Sequence, residues 1–223
     1  MALPDTALTT ATNNVRNILT FAIEHQPQHA ALVVFDGQCE LAKILTEAYQ
    51  LCLPDAEFID FEGTSPEVIR DEFSRFEAGD LVVLIQSTSF RLDAFRIRVE
   101  LFKLGLKVIE HPHLSRMIGD AEALLYLDSL AYDPQYFRGT GNALKVYLDN
   151  AKTGMINSGG EELWFDAGFE SAKLNVGDYH EMNNVGGQFP IGEVFTESKD
   201  LEAVHGRVRI SIFGDTAFLV NKP

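Results

Sequence analysis

AALVVF, residues 30–35, and DLVVLIQ, residues 80–86, decide the fold. Each is an almost unbroken apolar run of strand length. A strand with one wet face alternates apolar and polar residues, whereas a strand apolar throughout is covered on both faces, as in a parallel sheet between helix layers. LKVIE, residues 106–110, is a third run of the same kind. We therefore expect residues 30–35, 81–86 and 106–110 to be adjacent parallel strands. The segments around them are helical. Residues 6–25 carry Val15, Ile18, Leu19, Ala22 and Ile23 at helical spacing, and residues 40–53 carry Leu41, Ile44, Leu45, Ala48 and Tyr49 until Pro54 stops them. Residues 57–61 form a further short strand. Ser65-Pro66-Glu67 is a helix start with Ser65 at the N-cap. Residues 91–104 are a helix ended by Gly105, and a helical stretch runs near 115–127. Strand and helix alternate over short connections, which predicts an α/β fold with a doubly wound parallel sheet over residues 1–150.

The texture changes after that point. Residues 151–223 are rich in glycine, lack a helical period, and contain short runs at 163–165, 172–176, 208–213 and 217–220. This reads as a β-rich second domain. Some 70 residues of short strands bury little surface, so the domain reads as incomplete.

The chain has 223 residues, with 33 acidic and 18 basic side chains and a formal net charge of −15. A phosphate backbone or an anionic lipid surface calls for a basic face, so no nucleic-acid and no membrane partner is expected. No run approaches the length of a spanning helix, and residues 1–14 show no secretory pattern, which makes the cytoplasm the expected compartment. The two cysteines, Cys39 and Cys52, fall in one strand–helix unit without metal-site spacing and are expected to be free thiols.

Candidate chemistry is sparse in the parallel-sheet half. Asp36-Gly37 follows the first strand but lacks the spaced glycines of a dinucleotide turn and the Lys-Ser/Thr pair of a phosphate loop. Arg138-Gly139-Thr140-Gly141 has no strand before it. The carboxyl ends of the strands near Asp36 and Ser87 are where a small ligand would bind on this architecture. The residues after Gln86 are hydroxyl-rich but have no flanking glycine for a nucleophile elbow, so capping of the next helix is the better reading. His111-Pro112-His113 could bring two imidazoles to a metal, or be a proline loop after a strand. His180-Glu181-Met182-Asn183-Asn184 starts like a zinc-protease helix motif, but Asn184 stands where the second histidine belongs.

The string with the most content is Gly186-Gly187-Gln188-Phe189-Pro190-Ile191-Gly192-Glu193-Val194-Phe195-Thr196. Pro190 and Gly192 make a turn, and Glu193 opens a β-type run. A carboxylate held at a strand start suits a hard or borderline divalent cation. Pro-Ile-Gly-Glu-Val-Phe-Thr resembles the signature of the thermophilic-type metallo-aminopeptidases, aminopeptidase T and its relatives, which reads roughly Asn-Leu-Pro-x-Gly-Glu-Val-Phe-Thr-x-Pro. Here Gln188-Phe189 replaces Asn-Leu, and Ser198 replaces the last proline.

The resemblance implies a hydrolase that removes N-terminal residues from peptide substrates. It also implies a homodimer and a centre of two divalent ions (zinc, cobalt, manganese or magnesium) with Glu193 as a metal ligand. The family's remaining ligands lie well downstream of this motif, and only residues 194–223 follow Glu193 here. One carboxylate does not hold two cations, so we expect this chain by itself to be catalytically incomplete. The alternatives are a non-catalytic binding or assembly module on the same scaffold, and a small-ligand-binding α/β protein.

Overall fold

A computed structural model of the chain describes residues 3–92, 97–180, 182, 184–210, 212–213 and 216–217. The chain forms two compact units, one of residues 1–138 with 176–191, the other of residues 139–175 with 192–223.

The first unit is built on a five-stranded, wholly parallel sheet in the order β2-β1-β3-β4-β8. Its strands are β1 (Ala31–Phe35), β2 (Glu57–Asp60), β3 (Leu81–Ile85), β4 (Lys107–His111) and β8 (Val185–Gln188). The three apolar runs are adjacent as expected, with Val33 opposite Val83 and Val83 opposite Ile109. All five residues of β3 are buried because helices cover both faces. Val83 and Ile85 pack with Val33, Ile109 and the apolar stripes of α1 (Thr6–Asn17), α2 (Glu40–Cys52) and α5 (Asp120–Ser129). Val82 and Leu84 face the other way, onto Leu32, Val34 and Val108 and onto α3 (Pro66–Phe73) and α4 (Ile97–Lys103). Side chains alternate across the sheet, so consecutive apolar residues feed two separate cores. Each fully buried Val, Leu or Ile contributes about 1.5–3 kcal/mol.

One local signal acts as expected at a helix start. The Ser65 hydroxyl accepts the Val68 N–H at the start of α3, with Pro66 in its first turn. Cys39 and Cys52 are free; they stand at opposite ends of α2, about 20 Å apart at 1.5 Å of rise per residue, too far to bridge.

Other elements differ from their expected bounds. The first helix ends in a π-helical turn at Ile18–Ala22. The expected helix over 91–104 is seen as Ile97–Lys103; Arg91 and Leu92 are not helical, and residues 93–96 lie outside the described residues. The stretch near 115–127 divides into a 3-10 turn, Leu114–Arg116, and α5, because Gly119 interrupts it at φ 96°. A further helix, α6 (Pro134–Asn150), has no counterpart in the sequence reading.

The second unit takes α6 from Gly139 onward together with small antiparallel sheets. β5 (Gly154–Ser158), β6 (Glu161–Phe165) and β10 (Val204–Gly206) form one sheet in the order β10-β6-β5. β7 (Lys173–Asn175) pairs with β9 (Glu193–Phe195), and β11 (Ile212–Phe213) with β12 (Thr216–Ala217). Residues 208–210 are not in a strand, and residues 211 and 218–220 of the expected runs lie outside the described residues. Among its described residues the second unit buries only Gly141, Gly168 and Ala172. Tyr147, Met155, Ile156 and Leu201 remain between 46% and 78% exposed, so among the described residues its short strands enclose no core of large side chains.

Candidate functional site

The parallel sheet brings the chemistry-bearing residues of the first unit to one edge. In an open α/β sheet the carboxyl ends of the strands leave a crevice where the strand order reverses. Here the reversal falls between β1 and β3, and Asp36, Gln86, Ser87 and His111 all stand at that edge.

Asp36 closes the β1 end. It is fully buried, and its two oxygens accept the Ser87 N–H at 2.7 Å and the Gln38 N–H at 3.1 Å. Ser87, also fully buried, donates its hydroxyl to the Cys39 thiol at 3.1 Å, and its carbonyl accepts from Ser115. These groups satisfy one another and tie the β1 and β3 ends together. Among the described residues, no histidine side chain is hydrogen-bonded to Ser87.

The two histidines of His111-Pro112-His113 do not converge. His111 is fully buried between two tyrosines, with Nε2 2.9 Å from the Tyr49 hydroxyl and Nδ1 2.9 Å from the Tyr126 hydroxyl. The Tyr126 hydroxyl donates to the Phe189 carbonyl at 3.0 Å. That fixes the chain of protons: Tyr126 accepts from Nδ1–H, so Nε2 is the acceptor for Tyr49. Burial drives the imidazole pKa down to about 3 and pushes both phenols up, so all three groups are neutral. His113 instead has a left-handed backbone, φ 57°, and lies part-exposed with Nε2 3.2 Å from the Ser89 hydroxyl. The pair is therefore not a metal site; the proline loop separates its members.

Outward from this edge lies a polar cleft of about 470 Å3. Gln86, Ser89, Arg91, Arg98, Glu110 and His113 line it, with Phe90 as an apolar wall. Arg98 pairs with Glu110 at 2.8 Å, and the Gln86 amide donates to the other Glu110 oxygen at 2.9 Å while accepting the Phe90 N–H at 2.7 Å. Desolvation and the charges of Arg116 and Arg91 hold the His113 pKa below its ordinary value. No sequence motif marks this cleft; its members come from separate loops and strands.

Glu193 is the first residue of β9, opposite Asn175 of β7, and its side chain is exposed. Gly192 before it has φ 130°, a region that favours glycine, and donates its N–H to the Asn175 carbonyl at 2.9 Å. The glycine thus makes the close turn that starts the strand at Glu193. Among the described residues, no group of three or more His, Cys, Asp and Glu is arranged to hold a metal ion. A lone exposed carboxylate does not fit a two-metal centre. His205, unassigned from sequence, pairs with Asp166 at 2.8 Å. Arg138-Gly139-Thr140-Gly141 lies inside α6, and the Arg138 guanidinium is engaged by the carbonyls of Phe21 and Gly177, so it is no phosphate loop.

Among the described residues no helix is long and apolar enough to cross a membrane. No protein-family model matches the chain, and no curated protein matches it. Its fold is similar to a solved structure of wild-type AmpT from Thermus thermophilus, with a TM-score of 0.48 and 12% identity. That match covers 89% of this chain and 63% of the other, so the chain spans less than two thirds of that protein's length.

Proposed function

We propose that this chain has the scaffold of an aminopeptidase-T-like metallo-aminopeptidase, a hydrolase acting on the N-terminal residues of peptides, with Glu193 as one ligand to a divalent ion. The observation that carries the reading is the Pro190–Thr196 string, in which Gly192 turns the chain and Glu193 stands exposed at the first position of a strand. On its described residues the chain lacks the further donors that a second cation needs. It binds zinc, cobalt, manganese or magnesium weakly and does not turn over peptides by itself. Calorimetric titration with each ion, on wild type and Glu193→Ala, should give weak binding that the substitution abolishes, beside a blank aminoacyl-anilide assay. Tight binding indifferent to Glu193→Ala would remove Glu193 from the ligand set. Robust turnover would show the site misplaced.

The exposed apolar side chains of the second unit favour a second reading, a non-catalytic assembly module that pairs with a second copy of the chain. Tyr147, Met155, Ile156 and Leu201 line a groove of about 960 Å3. Contiguous apolar surface of this kind marks interaction sites in soluble proteins. The expected result is a dimer by light scattering that Leu201→Asp converts to a monomer. A wild-type monomer at high concentration would sink this reading and leave the first untouched.

A further inference from the structure

The polar cleft at the carboxyl ends of β3 and β4 has a charge balance opposite to that of the chain around it. The protein carries a net −15, yet the cleft is lined by two guanidinium groups and one carboxylate. That carboxylate, Glu110, is already neutralised by Arg98 and held by Gln86. Arg91 is exposed and, among the described residues, makes no ion pair or side-chain hydrogen bond. Its five donors are therefore available at the cleft mouth. Ser89 and His113 add a hydroxyl and an imidazole within reach of each other, and Phe90 supplies an apolar floor that is 6% exposed and stacked on Phe61. The volume, about 470 Å3, falls in the range of small-molecule sites.

We propose that this cleft binds a small oxyanion-bearing molecule, with Arg91 as its main contact and Ser89 and His113 as flanking donors. Guanidinium groups recognise carboxylate and phosphate by paired N–H donors, and such charge-assisted bonds are about twice as strong as neutral ones. The His113 environment agrees. Desolvation by burial, then the charges of Arg116 and Arg91, disfavour its imidazolium and Glu110 favours it, and the net direction is down from the ordinary value. An anion seated against Arg91 offsets that positive field and raises the His113 titration midpoint. The residues that line the cleft all belong to the first unit, and Glu193 belongs to the second.

The test uses the full chain in amide NMR titrations with sulfate and with succinate, against chloride at matched ionic strength. Saturable shifts at Ser89, Arg91 and His113 are expected with at least one anion. Sulfate alone would assign a tetrahedral, phosphate-like ligand, and succinate alone a carboxylate. Arg91→Gln, at an exposed position, should weaken binding about tenfold or more. The His113 midpoint should rise on saturation in wild type only. Shifts no different from those with chloride, or binding that survives Arg91→Gln unchanged, would overturn the proposal.

Discussion

His111 shows how burial decides what a titratable residue does. Both of its nitrogens are engaged by tyrosine hydroxyls, and its folded pKa lies near 3 against 6.5 for the free side chain. The unfolded chain takes up a proton at this residue as the pH falls through about 6.5, whereas the folded chain does so only near 3. The stabilisation is thus complete above about 6.5 and is lost as the pH falls from there towards 3, at up to about 1.4 kcal/mol per pH unit. Urea unfolding at pH 7 and pH 5 should show a smaller loss on acidification in His111→Gln than in wild type; equal losses would mean that another group carries the slope. Tyr126→Phe leaves the His111 Nδ1–H and the Phe189 carbonyl without their shared hydroxyl, and it should cost about 1–3 kcal/mol at neutral pH. Asp36 acts on a larger scale from one position. It receives N–H groups from Gln38 and Ser87, so Asp36→Ala unpairs two donors at once and should cost about 3 kcal/mol in the same assay.

Among the elements, β8 is the one whose place depends most on a single residue type. Its Gly186 has φ 109°, and a Cβ there would run into the Val108 carbonyl of the neighbouring strand. Gly186→Ala therefore combines an unfavourable backbone with a clash against a fixed ladder. It should lower stability by about 3 kcal/mol or more. Loss of protection at residues 185–188 in hydrogen exchange would confirm that β8 has left the sheet; a variant of native stability would contradict the steric account. The central strands were legible because composition and run length are local properties. Residues 31–35 and 81–85 are apolar at every position, and only a sheet covered on both faces makes use of that. By contrast β8, Val-Gly-Gly-Gln, has no apolar run, and α6 was obscured by Gly139 and Gly141, residues that weaken any helical signal.

At the scale of the whole molecule, the two units differ in what holds them. The first has two apolar cores, one on each face of its sheet. The second buries no large apolar side chain among its described residues. Local opening free energy follows buried contacts, so amides of β5 and β6 should exchange on the order of 100-fold faster than those of β3. The measurement is exchange with mass detection over a protein dilution series. If a second copy covers the Tyr147–Leu201 surface, protection of β5 and β6 will rise with protein concentration while that of β3 stays constant. Protection of β5 equal to that of β3 at every dilution would contradict both the bare surface and its concentration-dependent cover.

Sequence alone determined the parallel α/β character, the adjacency of the three apolar strands, the N-cap at Ser65 and the free state of the thiols. All of these follow from periodicity, composition or spacing within a short stretch of chain. It also singled out Glu193, through a turn and a family-like string, without showing what stands near it. Only the tertiary structure decided that residues 185–188 return to pair with β4, that His111 is buried while His113 faces the cleft, and that Arg91, Arg98 and Glu110 meet there. The physical reason is that strand pairing and side-chain convergence join residues far apart in the chain. A cleft assembled from the ends of several strands leaves no pattern in any one of them.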